Sequence, residues 1–336
     1  QAPACSGLHV APHACCAMSL AGVESQALGG ELLPLVEKFC VSVTENLSPT
    51  RAVKYALEQR DYLDALARAV GAAVAPDALA GRPEVRHVVC LGGIGVSAVA
   101  ARQRLAPPSR VSSVHPAASR DTAWQMLGAR MVAFANGFVD THCLVEVPEE
   151  PWDLLVVEGL DTFALSDGVL PMMRRAAPHA AAGARVIPGS ARLRAFLCAP
   201  RDFDAVAGGF HGGFDLRAVC GRDQLAATVP WLMIDEDNAL LDDHVRLTET
   251  FDAMTLWDTD AAERDVLLDL SEIPEVDSAS AEVTCTAAGL CAAVLFWWET
   301  GGPDCKSGMR AVQWLPQPRR VEPGDRVTVT ASRSLT

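Results

Sequence analysis

Residues 86–105 read RHVVCLGGIGVSAVAARQRL. Arg86 to Leu91 has the look of a short apolar strand, and Gly92-Gly93-Ile94-Gly95 breaks it. Val96 to Leu105 then carries a helical pattern. Strand, glycine-rich turn and helix make the opening of a βαβ unit. Downstream the cycle repeats. Arg110–Val114 is expected as a strand, Ser119–Leu127 as a helix, Met131–Ala135 as a strand, Leu154–Val157 as a buried strand and Gly168–Ala177 as a helix. Such alternation predicts a parallel sheet with helices on its faces. Upstream, Arg51–Ala75 has apolar residues at helical spacing after Ser48-Pro49, a helix-start signal.

Beyond Gly183 helical patterns nearly vanish. Short strands dominate instead: Ala184–Ile187, Leu193–Cys198, Glu282–Thr286, Ala292–Trp297 and Arg326–Thr330. Between them lies a less regular insertion, Leu225–His244, carrying Trp231, Leu232, Met233, Leu240 and Leu241. The expected fold class is α/β followed by β. A largely irregular extension covers residues 1–47, a Rossmann-like domain 48–188, and an antiparallel barrel or sandwich 189–336.

Composition narrows the partners. The 336 residues carry 28 basic and 42 acidic side chains, a net charge of −14. That excess repels phosphate backbones and anionic lipid, so no primary nucleic-acid or membrane-surface role is expected. The longest apolar run, Ala287–Trp298, is 12 residues, well short of the ~20 that a spanning helix needs. Eleven cysteines, an odd number set in apolar contexts such as Val88-Val89-Cys90, fit reduced thiols in a cytoplasmic protein better than a disulfide framework. The N-terminal stretch lacks the basic-then-apolar order of a signal peptide. Cys5, His9, His13, Cys15 and Cys16 are metal-ligand types, but their spacing matches no standard zinc module, and no metal is expected.

Ligands of a doubly wound sheet bind outside the carboxyl ends of its strands. Gly92, Gly93 and Gly95 lie at that edge. They do not match G-x-G-x-x-G, because Leu91 stands at the first glycine position. Such a turn needs glycine with or without a ligand, so both readings stand. His115 follows the second strand, where a ribose usually meets a carboxylate; a neutral imidazole accepts one hydrogen bond only, and a plain loop histidine fits as well. Glu158 follows the buried strand Leu154–Val157, and Asp167 comes nine residues on. Two carboxylates converging on one guanidinium would suit arginine recognition, whereas either alone would be a solvated loop charge.

At this point the sequence resembles a known family. Residues 153–196, DLLVVEGLDTFALSDGVLPMMRRAAPHAAAGARVIPGSARLRAF, are similar to the central block of the protein arginine methyltransferases. Val88–Ala101 resembles the family's S-adenosylmethionine loop, and Gly137-Phe138-Val139-Asp140 its adenine-contacting segment. Gln313-Trp314-Leu315 and Glu322-Pro323-Gly324-Asp325 resemble its barrel strands. The resemblance implies a class I methyltransferase domain, a β barrel, and a dimerisation arm at about residues 214–244.

It also implies losses. Leu91 replaces the family's first loop glycine and Val89 its preceding acid. Ala67 stands where an arginine holds the cofactor's carboxylate, and Arg68 is turned about 100° away on the helix. His115 replaces the ribose-binding glutamate. Glu158 matches the first substrate glutamate, but Asp167 is one methylene shorter than the second. Lys306-Ser307-Gly308 replaces the Thr-His-Trp loop.

Gly92, Gly93, Gly95, His115 and Asp140 are then a degenerate cofactor remnant, and Glu158 and Asp167 a degenerate substrate remnant. The resemblance implies a pseudoenzyme that binds no cofactor and is similar to the kinetoplastid prozymes. Such a subunit pairs with a catalytic arginine methyltransferase paralogue that uses S-adenosylmethionine, and activates it. The interface would be the arm residues Trp231, Leu232, Met233, Leu240 and Leu241, and the complex would act on basic Arg/Gly-rich proteins. Two alternatives remain compatible with the same residues. One is a divergent, active methyltransferase using Glu158 and Asp167. The other is a non-activating scaffold that shows its acidic surface to Arg/Gly-rich tails.

Overall fold

The computed structural model describes residues 60–75, 84–115, 122–138, 142–160, 168–200, 210–211, 214–215, 232–234, 244–259, 270, 273, 276–301, 305–306 and 310–334. The extension of residues 1–47, with its Cys/His cluster, and most of the expected arm lie outside them.

The first sheet consists of β1 (His87–Leu91), β2 (Arg110–Val114), β3 (His142–Leu144), β4 (Trp152–Val157) and β5 (Ala180–Ile187). All neighbours are parallel, in the order β3-β2-β1-β4-β5. β1 is buried at all five positions, and in β4 only Asp153 is partly accessible. Strands covered on both faces read as continuous apolar runs, which is why HVVCL and WDLLVV were legible.

Among the described residues four α-helices flank the sheet: α1 (Arg60–Ala73), α2 (Val96–Arg102), α3 (Thr122–Ala135) and α4 (Val169–Ala176). On α1 the buried Tyr62, Leu66, Val70 and Ala73 recur at three- and four-residue steps, forming one stripe against the sheet. Gly168, at φ 69°, starts α4, whose last turn holds Arg174 and Arg175 against the helix's negative end. The Trp152 indole donates to the Ala176 carbonyl at 2.8 Å, satisfying a terminal acceptor of α4 from within the core.

One expected element is corrected. Met131–Ala135 is not a strand but the last turn and a half of α3. The Asn136 amide donates back to Val132 at 3.2 Å, so the run completes a helix. A five-residue apolar run carries no period of its own, and here it extends the helix before it. The edge strand is the three-residue β3 instead.

After Ile187 the chain turns through Pro188-Gly189 into antiparallel structure. β6 (Ser190–Pro200), β13 (Gly289–Thr300) and β15 (Arg310–Val321) form the spine of the second sheet. β10 (His244–Arg246) and β11 (Phe251–Asp258) share the outer side of β6, while β9 (Leu232–Ile234) adds to β15 and β14 (Cys305–Lys306) to β13. Where β10 gives way to β11, the Leu197 amide donates to the Thr248 hydroxyl at 3.1 Å and keeps the ladder satisfied. β12 (Val276–Thr284) and β16 (Arg326–Ser334) form a separate antiparallel ribbon, and β7 (Phe210–His211) and β8 (Phe214–Asp215) a short hairpin.

Among the described residues, one buried cluster spans the two sheets, running from Val88, Leu91 and Leu155 through Tyr62 to Trp298, Met254 and Trp257, and two smaller clusters lie within the antiparallel half. The Trp257 indole donates to the Pro188 carbonyl at 3.0 Å, fixing the crossover between sheets. Among the described residues no helix is long and apolar enough to cross a membrane.

Candidate functional site

In the first sheet β1 sits between β2 and β4, so chain order reverses at β1/β4. The edge outside their carboxyl ends is where a sheet of this kind places its ligands. Two loops meet there. Gly92, Gly93 and Gly95 all take left-handed φ values of 67°, 72° and 84°, which only glycine adopts without strain. Across from them β4 ends in Glu158-Gly159.

The loops close on each other backbone to backbone. The Leu91 carbonyl accepts from both the Glu158 amide (3.0 Å) and the Gly159 amide (2.9 Å), and the Gly92 amide donates to Val114 at 2.7 Å. A Cβ on Gly92 would lie 2.7 Å from the Gly159 Cα, and one on Gly159 equally close to the Gly92 Cα. A Cβ on Gly93 would lie 2.5 Å from Glu158 Oε1 and 2.6 Å from its Cδ. Gly92 and Gly93 are therefore required by the chain's own packing.

Glu158 is fully buried and its carboxylate faces the turn. Oε1 accepts from the amides of Ile94 (2.8 Å), Gly95 (2.8 Å) and Val96 (3.1 Å). Oε2 accepts from the Ser97 amide (2.8 Å) and from the Ser97 hydroxyl in a short hydrogen bond. A carboxylate offers about four lone-pair sites, and five donors already meet them. The negative charge sits at the start of α2, where converging amide dipoles stabilise it. Behind Ser97 lies Cys90, whose thiol is pushed up to about 12 by burial and by the charge of Glu158.

A second connection crosses the same edge. The Tyr62 hydroxyl of α1 donates to the Val157 carbonyl at 2.5 Å, and its ring meets Trp298 edge-on with centroids 4.9 Å apart. Tyr62 thus ties α1 and β13 to the end of β4. Sequence reasoning passed over Tyr62, Ser97 and Trp298. The available signal was a tyrosine on an otherwise aliphatic helical stripe, since a buried hydroxyl needs an acceptor.

The expected site residues are placed as follows. His115 is wholly buried rather than exposed in a loop; its amide donates to Leu144 at 2.8 Å, and Nε2 lies 3.0 Å from the Ser113 hydroxyl. Arg68 is exposed on α1 while Ala67 is half-buried. Lys306 pairs in register with Glu299. Leu232 and Met233 lie in β9, opposite Val312 and Ala311 of β15. Asp140, Asp167, Trp231, Leu240 and Leu241 lie outside the described residues. Among the described residues no group of three or more His, Cys, Asp or Glu side chains is placed to hold a metal.

Neither a family model nor a curated protein matches this chain. Among solved structures it is similar to a chain of the Trypanosoma brucei PRMT1 enzyme-prozyme heterotetrameric complex with AdoHcy. The likeness covers 91% of this chain and 88% of that one, with a TM-score of 0.54 and 14% identity. At that identity the likeness is one of fold: an arginine-methyltransferase-like arrangement of a Rossmann-like sheet followed by antiparallel β structure.

Proposed function

We propose that this chain is a non-catalytic regulatory subunit that pairs with a catalytic arginine methyltransferase and activates it. One observation carries the reading: Glu158, the acid that would hold a substrate guanidinium, has both oxygens filled by Ile94, Gly95, Val96 and Ser97. A guanidinium needs two parallel acceptors pointing at it, and this carboxylate points away into the protein.

The residues at this edge do not fit S-adenosylmethionine. The amides that a cofactor loop would turn outward are met by Glu158. Leu91 is fully buried where the family has a glycine, and His115, buried beside Ser113, stands where the family has a ribose-binding glutamate. No methyl-transfer step is assigned to this chain.

Activation would act through binding energy. A subunit that prefers the competent state of its partner shifts that equilibrium by its differential affinity, and ~5.5 kcal/mol suffices to invert a 1:99 population. The arm of residues 214–244, with Trp231, Leu232, Met233, Leu240 and Leu241, supplies the docking element, in a domain of residues 189–336 that follows the 48–188 domain. Basic Arg/Gly-rich proteins are the substrates of the cytoplasmic complex. Support for a hetero-oligomer comes from the enzyme-prozyme complex to which the fold is similar.

The test is methylation of an Arg/Gly-rich peptide by a catalytic arginine methyltransferase with and without this chain. Activation at least tenfold, abolished by Trp231→Asp with Met233→Asp, is expected. Methylation by this chain alone, lost in Glu158→Gln, would establish the divergent enzyme instead. Stable association without activation would establish the scaffold.

A further inference from the structure

The amides of Ile94, Gly95, Val96 and Ser97 all point at one carboxylate, three at Oε1 and one at Oε2, and something must accept from each of these amides. In an open crevice, water or a bound ligand does so. Here the acceptor comes from the chain itself, 61 to 64 residues away in sequence. Two independent features fit that role. Gly93 lacks a side chain at the place the glutamate's Cδ and Oε1 occupy, and the Ser97 hydroxyl supplies a fifth donor from inside the core.

Resting on the reading of the chain as a non-catalytic subunit, we infer that Glu158 is a positioning residue that replaces a ligand at the glycine-rich turn. The turn, α2 and the end of β4 are set in one arrangement with no cofactor present. The same carboxylate staples β1–α2 to β4 across the switch point, beside the Leu91 carbonyl that already holds Glu158 and Gly159. A turn held by the chain's own carboxylate keeps its order whether or not a cofactor is available. The subunit's fitness to pair with a partner would then be independent of cofactor supply.

The experiment is residue-resolved amide hydrogen exchange on the full chain, alone and with millimolar S-adenosylmethionine. It is repeated for Glu158→Ala and Glu158→Gln. Wild-type amides of Ile94, Gly95, Val96 and Ser97 should exchange slowly without cofactor and change less than twofold when it is added. In Glu158→Ala those four should exchange at least 100-fold faster while Val89 and Cys90 in β1 stay protected. Glu158→Gln, which keeps one acceptor oxygen, should restore part of the protection.

Fast exchange in the wild type that slows with S-adenosylmethionine would overturn the inference, as would unchanged exchange in Glu158→Ala. The wild-type arm alone decides the matter if Glu158→Ala does not fold. No partner enters this measurement, so its failure is separable from that of the functional reading. A protected turn in a chain that activates nothing refutes only the function, and a cofactor-dependent turn in an activating chain refutes only the inference.

Discussion

The side chain of Glu158 occupies the space beside Gly93 that a Cβ there would enter, its Oε1 lying 2.5 Å from that position. Each residue requires the other to be what it is. Gly93→Ala should therefore be severely destabilising, because it adds a left-handed φ of 72° to a clash inside a fixed hydrogen-bond network. Loss on the order of 3–5 kcal/mol, or failure to accumulate folded protein, is expected. Gly137→Ala is the control. Its φ is 83° but nothing lies within 4 Å, so only the backbone strain of about 1–2 kcal/mol should appear in urea unfolding. Equal losses at the two positions would show that the glutamate does not fill the site.

Tyr62→Phe removes the hydroxyl that donates to Val157 and leaves a buried carbonyl without that donor. A loss of about 1–2 kcal/mol is expected. Trp298→Ala should lose about 3–5 kcal/mol, since the indole is fully buried. A double-mutant cycle of Tyr62→Ala with Trp298→Ala, which removes both rings, should return a coupling of about 0.5–1.5 kcal/mol from the edge-on ring contact. Additive losses would mean that α1 and β13 are not joined through this pair.

His87 gives the fold a sign-defined response to pH. Its Nδ1 faces the Pro151 carbonyl at 3.0 Å and so carries the proton, leaving Nε2 to accept from the Ser112 hydroxyl at 3.0 Å. Burial lowers its pKa below the ordinary 6.5, opposed by the Pro151 carbonyl and aided by Arg110; Glu150 and Asp153 oppose it more weakly. The unfolded chain thus takes up this proton before the folded one does. The neutral ring's contribution is full above about pH 6.5 and is lost as pH falls through the lower folded value. His87→Gln should flatten the dependence of melting temperature between about pH 5 and 7. An unchanged slope would show that other groups carry it.

Thiol chemistry should sort by depth. Cys90 is pushed up to about 12 and Cys291 to about 11, in both cases chiefly by burial, and Cys198 is raised still further. Reaction with iodoacetamide requires the thiolate. In native protein at about pH 8, peptide mapping should find these three unmodified, and modified once denaturant is added. Rapid native labelling of Cys90 would mean that the Glu158-Ser97 layer opens.

How far the fold could be read in advance follows from the kind of pattern each element carries. HVVCL and WDLLVV are buried on both faces and declare themselves as apolar runs bounded by glycine or polar residues. Leu193–Cys198 is expected as a strand, and the observed one is longer, Ser190–Pro200, because the partly exposed Arg192 interrupts the apolar run on its N-terminal side. Met131–Ala135 was misread for lack of a period, and β3 is too short to announce itself.

The site was legible as a location rather than as a geometry. Gly92, Gly93, Glu158 and His115 do cluster at the sheet's carboxyl edge. What spacing could not convey is direction. Glu158 turns toward the glycine turn, and His115 turns inward beside Ser113. A carboxylate's partners lie far off in sequence, so residue type alone shows that it needs donors, and only the folded chain names them.

The most direct test of the central claim is calorimetric titration of S-adenosylmethionine into the isolated, folded chain. No binding heat is expected at cofactor concentrations up to about 1 mM, corresponding to an affinity weaker than ~4.1 kcal/mol. Saturable, micromolar binding with a stoichiometry near one would contradict it, because the cofactor site would then be intact despite Glu158.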